Sequence, residues 1–355
     1  MEPESARLGT MCDGKTGKPT KLGAFERIFP SPNFCYTVAE TATLTDRDIV
    51  MRHLRFLRYF DQVARSGSIR KAAEVLNVTA SALNRRIMDM EDELGTQLFE
   101  RQARGMRLTG AGEVFARFIR SQFAETERMR SQIEDLKGLR RGNVRIACSQ
   151  ALAHGFLPDA ISVFQRSYPL VTFDVTVSDH ERAMQALALF EVDVVLVFRP
   201  PHLPNFQPLL TLKQGLVALM AADHPLAAKS TIRLSDCRLF PLALPERSIG
   251  GRQLLDEVTA RTGLTLSPSI QSNSFEFLRG CLSRGEAISF QIEVGALPDY
   301  LAGSGVVARP IDHRDVPVAN LVLGQLRGRN LPMPVAVFCE HLKDALHEME
   351  KVAPS

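Results

Sequence analysis

The 355-residue sequence predicts an α/β protein with an α-rich N-terminal head: a winged helix-turn-helix, then one long helix, then a domain of alternating strands and helices. Three observations carry this. Short amphipathic segments between Met51 and Gly95 are separated by capping residues, a helical stretch runs from about Thr109 to Lys137, and strand-length apolar runs alternate with helical ones beyond Gly142.

The first 50 residues are rich in Gly, Pro, Ser and Thr, lack sustained periodicity, and read as loop or disorder. Periodicity begins at Met51, with Leu54, Leu57, Phe60 and Ala64 on one helical face. Ser66-Gly67 breaks that helix, and Ser68 is an N-cap for a second that buries Ala72, Ala73 and Leu76. Thr79 caps a third, which carries Ala82, Leu83, Ile87, Met90 and Leu94 and stops at Gly95. Extended pieces near Leu98–Arg101 and Met106–Leu108 are joined by Gln102–Gly105 into a hairpin. Three helices and a hairpin make the winged helix-turn-helix, spanning 51–109.

The segment 110–140 is a linker helix and hinge, whose apolar stripe includes Phe115, Phe118, Met129 and Ile133. A stripe of that length should pack on another helix, so these residues are the expected dimerisation contacts. Beyond Arg140-Arg141-Gly142, strands are expected at Val144–Cys148, Val171–Val177, Val192–Phe198, Leu216–Ala221, Leu242–Leu244 and Ala287–Gln291. Helices are expected near Gly155–Tyr168, His180–Leu189, Arg252–Thr262 and Ser274–Ser283. Ligands of such sheets sit at strand C-terminal ends.

Charge distribution narrows the function. The chain carries a net +3, yet between Met51 and Thr109 eleven basic side chains face seven acidic ones, an excess of four on about sixty residues. Phosphate backbones attract a footprint of that kind. No apolar run approaches the roughly 18–20 residues of a membrane span. The N-terminus lacks the basic-then-apolar pattern of a secretory signal. Six dispersed cysteines without a CxxC pair read as reduced thiols, which points to the cytoplasm. No metal-ligand spacing or nucleophile motif points to an enzyme.

The run from Leu57-Arg58-Tyr59-Phe60 to Leu108-Thr109 closely resembles the DNA-binding domain of LysR-type transcriptional regulators. Ala72-Ala73, Leu76-Asn77-Val78, Ala82-Leu83, Arg85 with Ile87, Glu91, Glu93-Leu94-Gly95, Leu98-Phe99-Glu100-Arg101, Arg104-Gly105 and Ala111-Gly112 carry the match. Leu157-Pro158, Tyr168-Pro169, His224-Pro225-Leu226-Ala227 and Gly285 extend it more loosely, to about residue 350. The resemblance implies a regulator of transcription that binds double-stranded promoter DNA as a homodimer or homotetramer and acts on RNA polymerase. It also implies a two-lobed, periplasmic-binding-protein-like sensing domain over 141–350. Lobe I is expected at about 141–203 and 328–350, and lobe II at about 204–327.

On this resemblance, Thr79, Ser81, Asn84, Arg85, Arg86 and Arg101 would contact DNA, with Arg104 at the wing tip entering the minor groove. The chain departs at Ala80, where the family usually has Gln, and at Ser81, often Pro. Ala80 cannot hydrogen-bond a base, so the preferred half-site should differ. No cofactor is implied, only an unidentified small-molecule effector between the lobes, with Ser149, Gln150, Arg199, Ser274 and Gln291 as candidate contacts. The blander alternative makes Ser149 and Ser274 helix caps and Arg199 a surface ion pair. Cys237 and Cys281 permit a redox switch in principle, but the helical setting of Cys281 reads as a buried structural thiol. Two rival readings are a periplasmic-type solute-binding protein and an α/β enzyme. Family members start near the first helix, so Met51 is the expected start of the folded chain.

Overall fold

The computed structural model describes residues 54–102, 105–136 and 141–352. The expectations for the first 50 residues, for Arg104, and for the helix end at Lys137 and Arg140 lie outside them.

Helices α1 (Leu54–Ser66), α2 (Ile69–Leu76) and α3 (Ala80–Leu94) are followed by an antiparallel hairpin of β1 (Phe99–Gln102) and β2 (Gly105–Leu108). The caps act as their chemistry requires. Ser68 Oγ accepts the N–H of Lys71, Thr79 Oγ1 accepts that of Ala82, and Gly95 ends α3 in the left-handed region. Phe60, Val63, Ala72, Leu83, Ile87 and Leu98 form the buried centre. Ala82 and Leu94, expected on the inward face of α3, are exposed; Ala82 lies on the solvent side with Arg85 and Arg86.

Two glycines dock the hairpin. Gly67 O accepts the N–H of Met106 at 2.8 Å, and a Cβ on Gly105 would lie 2.4 Å from that same oxygen. The wing root is therefore tied to the α1–α2 turn. Glu91 Oε1 accepts the N–H groups of Leu98 and Phe99, holding the start of β1 against α3.

Thr109 Oγ1 accepts the N–H of Gly112 and starts α4 (Gly110–Leu136). The first turns of α4 belong to the head: Ala116 and Ile119 are buried in its core, and Phe115 stands edge-on to Phe60 with centroids 5.0 Å apart. That bears on one of the four expected dimer contacts. Phe115 is drawn into the chain's own core, because periodicity marks a face for burial without saying against what. Phe118 and Ile133 are exposed, and Met129 is half-buried.

The remainder forms two lobes. Lobe I begins with β3 (Gly142–Cys148), α5 (Phe156–Ser167), β4 (Val171–Val177), α6 (His180–Ala188), β5 (Val194–Phe198) and β6 (Phe206–Gln214). Lobe II holds β7 (Leu216–Ala221), α7 (Leu234–Cys237), β8 (Leu242–Pro245), α8 (Gly250–Thr262), β9 (Pro268–Ser272), α9 (Phe275–Leu282), β10 (Ser289–Ile292), α10 (Pro298–Leu301) and β11 (Val306–Pro310). The chain then returns to lobe I through β12 (Ala319–Leu326) and α11 (Met333–Val352).

The lobe I sheet runs β4-β3-β5-β12-β6, with β3 parallel to both neighbours and β12 antiparallel to β5 and β6. Lobe II pairs β10-β7-β11 and β8-β9, which a bridge from Leu242 to Ile288 joins. The expected lobe boundaries need correction: β6 and β12, assigned to lobe II from sequence, complete the lobe I sheet. It is β12 that pairs with both β5 and β6, each more than a hundred residues away in sequence, which no local pattern reveals. Under the sheet, Phe338 of α11 packs edge-on against Phe164 and Phe173. Asp193, almost fully buried at the root of β5, is paired with Arg145 and Arg329. Among the described residues, no helix is long and apolar enough to cross a membrane.

Candidate nucleic-acid interface and inter-lobe cleft

The N-terminal turns of α3 present a polar face. Ser81 and Arg85, one turn apart, are exposed, and Asn84 lies beside them, half-buried. Thr79 Oγ1, besides capping, lies 3.3 Å from Ser81 Oγ. Arg101 on β1 donates from Nη2 to Asn84 Oδ1 at 3.3 Å, joining hairpin and helix. Arg85 makes no hydrogen bond or ion pair among the described residues. Arg86 differs: it pairs with Asp89 and lies over the Phe56 ring, 5.0 Å from its centroid. The fold thus gathers Thr79, Ser81, Asn84, Arg85 and Arg101, and turns Arg86 round the helix toward α1.

One ion cluster passed unnoticed in the sequence. Asp61 of α1 accepts from Arg65 at 2.7 Å and from Arg120 of α4 at 2.8 Å, and Arg120 lies 3.9 Å from Glu191 of lobe I. Asp61 and Arg120 are both nearly buried, so head, linker and lobe I meet at this point. Fifty-nine residues separate the pair, and only an arginine on an otherwise apolar helical face hints at it.

The five effector candidates divide. Ser149, Gln150 and Gln291 line one small cavity between the lobes, with Ala151, Phe198, Gly250, Gly251 and Phe275 among their neighbours. Ser149 precedes the 3-10 turn Gln150–Leu152, but its side chain makes no capping bond; its Oγ accepts the N–H of Phe198 across the sheet. Gln150 Oε1 accepts the N–H of Phe275 at 3.1 Å, from lobe I to lobe II. Gln291 Nε2 donates to Ala151 O and Gly295 O, and its Oε1 is buried without a partner.

Ser274 and Arg199 stand outside the cavity. Ser274 caps α9 by accepting from Phe277 N, and Arg199 forms an ion pair with Glu257 at 2.8 Å. Arg199 sits at a positive φ of 52° at the end of β5, with Nη1 buried and unpartnered. Sequence reasoning missed the start of α8. No polar cap marks it, only the Gly250-Gly251 pair.

The lobes meet closely. A Cβ on Gly295 would lie 2.3 Å from Ala151 O, and one on Gly250 would lie 2.9 Å from Phe198 O. The cavity between them is about 20 Å³, room for one water molecule. Nearby His180 is buried, which lowers its pKa. A larger hollow of about 570 Å³ between α4 and lobe I, lined by Arg117, Phe190 and Arg327, contains none of the five candidates.

Cys237 is buried, and that burial pushes its thiol pKa up to about 12. Cys281, expected to be buried, is half-exposed. A thiol protonated at neutral pH is no nucleophile, so Cys237 is unsuited to a redox switch.

Comparison with known proteins bears on both regions. Residues 54–113 match the family model described as a bacterial regulatory helix-turn-helix protein of the lysR family, and 137–347 match the LysR substrate binding domain. The RuBisCO operon transcriptional regulator of Allochromatium vinosum is 30% identical over 236 residues, covering 66% of this chain and 78% of that protein. The transcriptional dual regulator GltC of Bacillus subtilis is 28% identical, covering 66% and 79%. Among solved structures, a full-length OxyR variant from Pseudomonas aeruginosa superposes with a TM-score of 0.62 at 21% identity, covering 84% of this chain and 95% of that one. Full-length CbnR complexed with its target DNA gives 0.54 at 22% identity, covering 82% and 99%. These two share the fold. The solute-binding and enzyme readings give way accordingly: the chain belongs to the LysR family of transcriptional regulators, with a helix-turn-helix head and an effector-binding domain.

Proposed function

We propose that this regulator reads promoter DNA through the N-terminal face of α3, with Ser81, Asn84 and Arg85 at the base edges and Thr79 and Arg101 on the phosphates. The single observation that supports this reading is the exposed Ser81–Asn84–Arg85 face backed by Arg101, on a head whose other side is packed. Arg86 is assigned a structural role. Arg104 is retained as the wing contact on the resemblance alone. The acting unit is a homodimer or homotetramer working in the cytoplasm, joined through the exposed part of α4 about Phe118, Met129 and Ile133. It engages RNA polymerase at the promoter.

The effector is a small molecule taken between the lobes, at Ser149, Gln150 and Gln291, and no cofactor is required. Its binding would change lobe closure and, through α4, the angle between two heads.

Arg85→Ala is the direct test. Loss of a bidentate base contact costs about 1–3 kcal/mol, roughly a 5- to 150-fold loss of affinity for a promoter fragment, with little change on unrelated DNA. Equal losses on specific and unrelated DNA would reassign Arg85 to the phosphate backbone. Unchanged affinity on both would remove it from the interface.

A further inference from the structure

Two helix starts face the inter-lobe cavity, and they are satisfied differently. At α9, Phe275 N–H is taken by Gln150 Oε1 and Phe277 N–H by Ser274 Oγ. At the 13-residue α8 the N-cap is Ile249, which has no side-chain acceptor, and the N–H groups of Gly250 and Gly251 meet no acceptor among the described residues. Both glycines line the cavity. An uncapped helix start of this length favours an anionic oxygen.

The second demand comes from Gln291, which is 3% exposed. Its Nε2 donates to two carbonyl oxygens, Ala151 O and Gly295 O, which settles the amide orientation, since the reverse would set oxygen against oxygen. Oε1 is then buried in the cavity wall with no donor. An amide oxygen can only accept, so this atom calls for an N–H or O–H group.

We propose that the effector is a compact hydroxy acid or amino acid, whose carboxylate caps α8 at Gly250 and Gly251 while its neighbouring O–H or N–H donates to Gln291 Oε1. The inference rests on the effector reading above and names the chemistry of that site. A plain carboxylate answers α8 and leaves Gln291 Oε1 buried without a donor; a plain alcohol does the reverse. Sites with a buried polar group discriminate strongly against analogues that leave it unpaired. The cavity has room for one water as it stands, so a ligand must displace a side chain. Gln150 is the movable one, because its side chain is held by the single hydrogen bond to Phe275 N. Departure of Gln150 also frees the start of α9.

The full-length protein is titrated by calorimetry and thermal shift with glycolate, lactate, glycine and alanine, against acetate and propionate as donor-free counterparts. The donor-bearing compounds should bind at least tenfold more tightly. Gln291→Leu should bring the two groups together. Gly251→Asp is the second variant. Its Cβ meets only the Leu216 side chain at 3.7 Å, so the residue fits, and its carboxylate would cap α8 in place of the ligand. Binding of every probe should then fall at least tenfold with the fold retained. Acetate and propionate binding as tightly as their hydroxylated counterparts would overturn the assignment of Gln291 and leave the effector cleft standing. Binding undiminished in Gly251→Asp, or absent for all six probes, would overturn the proposal. The broader effector reading is judged separately, by whether any compound of a metabolite library stabilises the protein.

Discussion

Asp61→Ala should be among the most damaging single changes in the head, through the charge it abandons. The Asp61 carboxylate binds two guanidinium groups, Arg65 at 2.7 Å and Arg120 at 2.8 Å. The side chain of Arg65 is 47% exposed, and water replaces that partner at little cost. That of Arg120 is 8% exposed, and its other acid, Glu191, lies at 3.9 Å with weak geometry. Breaking a buried pair from one side costs about 3–5 kcal/mol, mostly for the charge left behind, and Glu191 should return part of this. A loss of about 2–4 kcal/mol is expected, concentrated where α1 meets α4. Because the chain has several domains, hydrogen exchange of the α1 and α4 amides measures it better than a global melt. Asp61→Leu combined with Arg120→Met removes both charges and should recover most of the loss. A cost of Asp61→Ala below about 1 kcal/mol, or a double variant no better than the single, would refute the reasoning.

Three further outcomes follow from the packing. Gly295→Ala places a Cβ 2.3 Å from Ala151 O in the facing lobe, an overpacking that costs about 1–3 kcal/mol, and the lobes should part. Small-angle scattering would show a larger sensing domain, and faster exchange of Phe275 N–H would confirm the opening; unchanged values would contradict it. Phe118→Glu with Ile133→Glu alters exposed positions of α4 and should convert the oligomer to monomers in sedimentation while the circular-dichroism helix content is retained. An intact oligomer would move the interface elsewhere. Burial holds the pKa values of His180 and His224 below that of the unfolded chain, so the unfolded state binds more protons near and below pH 6.5. Stability should therefore decline as pH falls from 7 through that region, and His180→Gln should flatten the decline of the melting temperature; a variant with the unaltered slope would exclude His180 as a contributor.

Sequence alone determined the helix-turn-helix frame, because its signals are local. Ser68, Thr79 and Gly95 cap helices within a few residues of themselves, and Leu98–Leu108 needs only its own turn to pair. Arg85 and Ser81 were legible as a polar face because helical spacing alone aligns them. Six of the ten sensing-domain strands were legible as apolar runs, whereas β6, β9 and β11, with their mixed burial, and β12 were not. Strand partners were not legible either: the residues of β6 and β12 fell within the expected lobe II until the sheet order showed β12 between β5 and β6. The cleft was half legible. Ser149, Gln150 and Gln291 stood at strand ends, where such folds gather ligands, yet Ser274 turned out to cap α9 and Arg199 to pair with Glu257. Tertiary structure alone decided that Phe115 serves the head's own core, that Asp61 meets Arg120, and that α8 begins uncapped beside an unpartnered Gln291 Oε1. Each of these joins residues distant along the chain, and spacing along one element records which face is buried but not what buries it.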